Sequence, residues 1–168
     1  VSISRPENVG INKTTGIEFN AKYIPANWLS FTNDFNYSHF TREGDFEGSS
    51  FDFKGDQWST RLTSKFKLPA DIDLEFIGNY RSGYRTLQQE ITENLFMDFG
   101  ARKKIFKGKA IVNLSIRDVF ASRIRESITT QPEFYLRDFS QQGRFVTLGI
   151  SFGFGKGEAM EFSGQKHF

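Results

Sequence analysis

Cysteine is absent from the 168 residues, which excludes disulfide staples and thiolate metal sites. Histidine is nearly so: His39 and His167 are the only two, too few for an imidazole-based metal centre or a conventional hydrolase. No apolar run approaches the roughly 20 residues of a membrane-spanning helix. No signal peptide stands at Val1. Excess charge of one sign is lacking too. The net charge is +2 and the charges are interspersed, so nucleic acid is not an expected partner.

What the chain has in quantity is phenylalanine, 20 residues of it, with 5 Tyr and 2 Trp. Aromatics in a chain of negative mean hydropathy suit strands with one apolar and one polar face. That pattern is clearest on either side of Phe106-Lys107-Gly108-Lys109. Leu95, Met97, Phe99 and Ala101 alternate with Phe96, Asp98, Gly100 and Arg102 before this basic turn. Val112, Leu114 and Ile116 alternate with Asn113, Ser115 and Arg117 after it. A period of two on both arms predicts an antiparallel hairpin.

The unit recurs. Strands are predicted over 15–24, 28–40, 57–68, 72–81 and 143–154, with residues 1–14 an external loop and 155–168 a polar tail on the periplasmic side. Asn33 interrupts an otherwise apolar face. Short turns fall near 25–27, 69–71 and 106–109, and long loops near 41–56, 82–92 and 121–142. Putting all short turns at one end and all long loops at the other is the layout of a transmembrane barrel.

A soluble lipid-binding barrel would alternate in the same way, with its apolar face inward. Aromatics near the strand ends favour the membrane: Tyr23, Trp28, Phe66 and Phe106 at the short-turn end, Tyr37, Trp58 and Tyr80 at the other. The expected fold is therefore all-β, about seven antiparallel up-and-down transmembrane strands. Leu62, Phe76, Phe99, Leu114, Ile116, Leu148 and Ile150 are expected to face outer-membrane lipid. Glu18, Lys22, Arg61, Lys65, Glu75, Arg81, Asp98, Arg102 and Arg117 are expected to face a hydrated lumen. An odd strand count that begins outside implies preceding strands, whereas one more strand within 1–12 would make a small complete barrel, an adhesin or structural protein.

Three stretches carry a resemblance: NKTTGIEFNAKYIPANWLSFTNDFNYS (12–38), MDFGARKKIFKGKAIVNLSIRDVFASR (97–123) and GRFVTLGISFGFGKG (143–157). A basic Lys-Gly turn leads to a strand ending in Arg-Asp-hydrophobic-Phe, and an Arg-led final strand ends in Phe-Gly. This resembles the C-terminal region of TonB-dependent receptors in the outer-membrane β-barrel family. The resemblance implies a barrel of about 22 strands with a plug domain. It further implies import of a scarce, bulky nutrient such as an iron chelate or glycan, the TonB complex as partner, and an extracellular lipoprotein lid as a further one. Phe154 and Phe168 are alternative assembly signals.

Candidate ligand contacts are the loop aromatics Phe46, Phe51 and Phe53 with Tyr84 and Arg85, since binding residues concentrate on loops. The same rings would equally pack loop against loop. Asp45, Glu47, Asp52 and Asp56 fit no known Ca²⁺-loop spacing and read as solvated acids. Lys103, Lys104, Lys107 and Lys109 make the short-turn end basic, for headgroups or for water alone. No catalytic residue, cofactor or metal is expected, and the protein is expected not to be an enzyme.

Overall fold

The structure, a computed structural model, describes residues 10–46, 49–85, 89–131 and 134–153. Phe154, Phe168 and the tail lie outside the described residues. The described residues form eleven strands: β1 Gly10–Ala26, β2 Leu29–Phe46, β3 Ser49–Leu68, β4 Ile72–Arg81, β5 Tyr84–Arg85, β6 Gln89–Ile91, β7 Asn94–Ile105, β8 Ala110–Arg117, β9 Ile124–Gln131, β10 Phe134–Gln141 and β11 Phe145–Phe152.

Seven of them form one sheet in the order β1-β2-β3-β4-β7-β8-β11, every described pairing antiparallel. Its three tight connections share one end: Lys67 N–H donates to Trp28 O at 2.7 Å, Lys104 N–H to Asp71 O at 3.1 Å and Gly153 N–H to Lys109 O at 2.9 Å. Local chemistry shapes these turns. Pro25 has no N–H for the ladder, and the β1–β2 register slips between Tyr23 and Ala26 as a bulge. Ala70 and Asp71 both take positive φ, 63° and 56°, the twist a tight hairpin requires.

Register turns the alternation into continuous rows. One face carries Phe19-Phe35-Thr60-Tyr80-Leu95, then Tyr23-Phe31-Ser64-Phe76-Phe99-Ile116-Val146, then Leu29-Phe66-Leu74-Ala101-Leu114-Leu148. Leu62 and Ile150 lie on this same face, so all seven residues expected to meet lipid share it. Asn33 is accommodated there because its Nδ2 donates to Thr60 Oγ1 at 2.8 Å, a partner supplied by the next strand. The opposite face carries Asn20-Asp34-Arg61-Asn79-Phe96 and Ser30-Lys65-Glu75-Gly100-Ser115-Thr147, with Lys65 Nζ 2.8 Å from Glu75 Oε2.

The apolar face has no cover. Among the described residues the only buried hydrophobics are Phe40 and Ala110, and Ile150 is 71% exposed. A soluble sheet with no core on its apolar face has nothing to offset chain entropy.

Three expectations change. Residues 10–14 are the start of β1, paired with 40–44, while 41–46 continue β2 and 49–56 belong to β3, paired with each other. Strands of 18 and 20 residues overshoot the roughly 10 that cross a membrane. Beyond the lipid a strand needs no apolar face, so its ladder is invisible to periodicity. The stretches 82–92 and 121–142, expected as loops, form a second sheet of order β10-β9-β6-β5, closed by the non-local β6–β9 pairing.

A polar cleft beneath the second sheet

The two sheets meet through the corner that follows β8. Asp118, 2% exposed, takes φ of +51° and donates its N–H to Asp98 Oδ1 at 2.8 Å. Its carboxylate accepts Ser122 N–H at 2.9 Å, Arg123 N–H at 2.8 Å and the Ser122 hydroxyl at 3.3 Å. The two backbone N–H donors compensate the burial of this carboxylate, and the one hydroxyl proton is shared with a carbonyl of β7. The hydroxyl also reaches Leu95 O at 2.7 Å, tying the corner to β7. The Arg-Asp-hydrophobic-Phe sequence at 117–120 is thus the device that turns the chain from the first sheet into the second.

Past that corner the Arg123 guanidinium stacks 4.5 Å over the Phe96 ring, and Asn94 Nδ2 donates to Ile124 O. Phe96, an apolar ring on the polar face, is covered in this way. The second sheet therefore lies over the polar face of the first, at the end opposite the tight turns.

Between them is a cleft of about 490 Å³. Its floor is Asp34, Asn36, Ser59, Arg61, Asn79 and Arg81 from the polar rows, and its roof includes Thr92, Arg123, Arg125, Ser140 and Gln142. The volume is that of a small-molecule site.

Phe51, Phe53, Tyr84 and Arg85 do not line the cleft. Phe53 packs on Phe40 with ring centroids 5.8 Å apart, and Phe40 lies so close over Gly55 that a Cβ there would come within 2.5 Å of its ring. Phe46 closes β2, its side chain outside the described part. Tyr84 and Arg85 border a separate shallow hollow, and Arg85 pairs with Glu90 at 3.1 Å. Of the cleft arginines, Arg61 and Arg81 belong to the polar face read from periodicity. Arg123 and Arg125 sat in a stretch expected to be irregular, and only the β6–β9 pairing brings them across. Among the described residues, no three His, Asp or Glu side chains gather where they would hold a metal ion; Glu47 lies outside those residues.

At the edge of the apolar face, Tyr37 donates its hydroxyl to Asp56 Oδ1 at 2.6 Å and His39 Nδ1 lies 2.9 Å from the same oxygen. These contacts, Tyr37 first and then His39, hold the Asp56 carboxyl below its ordinary value. A carboxyl with a lowered folded pKa contributes stability above its unfolded pKa of about 3.9, and that contribution is lost as pH falls through the lower folded value. The native protein should therefore be more stable than an Asp56→Asn variant at pH 7. The gap should close below about pH 4, read as melting temperature against pH. A pH-independent gap would remove Asp56 ionisation from the account.

Aromatic rings mark both ends of the apolar face. Trp28 stacks on Phe66 with centroids 6.5 Å apart near the tight turns, and Trp58 meets Phe35 at 6.0 Å and Tyr80 at 4.5 Å near the second sheet. Rings at two levels, a bare apolar band between them and a polar reverse face define a transmembrane β-barrel protein. The family comparison agrees at that level: the chain belongs to the outer membrane protein β-barrel family, whose model matches residues 1–154. Its place is the bacterial outer membrane. Neither the curated proteins nor the solved structures contain a match to the chain.

Proposed function

We propose that this chain is the C-terminal sector of a TonB-dependent receptor barrel that imports a bulky, scarce solute. The observation that carries the reading is the roofed polar cleft. A solute-sized recess on the lumen side, at the long-hairpin end, suits a protein that captures a ligand at the outer mouth. The open sheet supports it. The outer edges of β1 and β11 carry no described partner, and unpaired backbone is not tolerated in hydrocarbon. In this reading further strands pair both edges, and a plug domain and the TonB complex complete the import route. An extracellular lipoprotein lid would cover the mouth. No catalytic role is assigned.

The intact mass of the native protein extracted from outer membranes tests this. A mass several times 19.3 kDa is expected. A mass near 19.3 kDa would overturn the receptor reading in favour of a small barrel whose edges pair with each other or with another copy.

A further inference from the structure

Four arginines, Arg61, Arg81, Arg123 and Arg125, border the cleft against a single carboxylate, Asp34. The other polar side chains around it are neutral amides and hydroxyls. Acids close by in sequence are turned to other partners: Glu93 accepts the Tyr80 hydroxyl at 2.8 Å, and Glu126 binds Arg137. Among the described residues Arg61, Arg81 and Arg125 form no ion pair, and the Arg123 guanidinium is engaged only with the Phe96 ring. On the same face Lys65 is paired with Glu75. The recess thus has four guanidinium groups on its border against one carboxylate.

We infer that the cleft binds an anionic solute through two or more carboxylate, phosphate or sulfate groups. Planar guanidinium forks match such oxyanions in bidentate fashion, and the partly enclosed recess raises the strength of each contact over that in open water. The amides of Asn36, Asn79 and Gln142 are placed to meet uncharged oxygens of the same solute. The inference rests on the receptor reading for its physiological meaning, but the binding itself does not depend on it.

The test uses the native full-length protein in detergent, titrated with citrate and, as the neutral control, maltotriose, by isothermal calorimetry at two salt concentrations. Citrate is expected to bind, more weakly at the higher salt, and maltotriose not to bind. Arg81→Gln and Arg125→Gln should each weaken citrate by about tenfold or more. Asp34→Asn should tighten it several-fold, a gain that misfolding does not produce. Equal affinity for maltotriose, no citrate binding at millimolar concentration, or an unchanged affinity in Asp34→Asn together with both arginine variants would overturn the inference. A large native mass with no citrate binding removes the anion site and leaves the receptor reading. Citrate binding by a 19.3 kDa protein does the reverse.

Discussion

Arginine in place of Leu114 is expected to lower the stability of the inserted protein by about 2–4 kcal/mol, the cost of a cation at the lipid midplane of a β-barrel. Leu114 stands in mid-strand, between Ala101 on β7 and Leu148 on β11, on a face with no protein cover. The same substitution one residue on, Ser115→Arg, should cost less than about 0.5 kcal/mol, because Ser115 is exposed on the polar face between Gly100 and Thr147. Urea titration of the protein refolded into lipid vesicles measures both. A comparable loss at the two sites would mean that the faces are not divided between lipid and water as the rows divide them.

The second large effect is expected at Asp118. Alanine there removes the acceptor for two backbone N–H groups in a part-buried corner, while the Ser122 hydroxyl keeps Leu95 O. Buried donors left unpaired cost about 1–3 kcal/mol each, so Asp118→Ala should destabilise by about 3 kcal/mol or more. Asparagine keeps one carbonyl oxygen and tolerates the positive φ, so Asp118→Asn should lose about half as much. Hydrogen exchange separates the corner from the rest of the protein. The Ser122 and Arg123 amides should lose protection first, while those of β8 and β11 should change later. Uniform loss of protection would show that the corner is not an independent device. A loosened corner also displaces Arg123 and Arg125, so Asp118→Ala should weaken anion binding although Asp118 itself does not line the cleft.

Much of this was legible without coordinates, for a definite physical reason. Side chains on a strand point to alternate faces, so the common face of the set from Leu62 to Ile150 followed from a period of two. The tight turns followed from Pro25, Pro69 and the Lys107-Gly108 pair, because those residues restrict or free the backbone locally. Even Arg117-Asp118-Val119-Phe120 was visible as a motif, although nothing in the string says that its carboxylate would cap two amides.

What stayed hidden was everything with polar residues on both faces. The outer halves of β2 and β3 and the strands β5, β6, β9 and β10 lie beyond the apolar band, where no periodicity betrays them. The pairing of β6 with β9 is also distant in sequence, with Glu90 opposite Ile128. Membership of a transmembrane sheet, its faces and its handling of turns were determined by the sequence alone, since each depends on residues a few positions apart. Only the tertiary structure decided that two polar stretches fold back over the polar face and bring Arg123 and Arg125 to Arg61 and Arg81. That juxtaposition depends on non-local backbone pairing, which any polar strand of suitable length can make and which leaves no mark on composition.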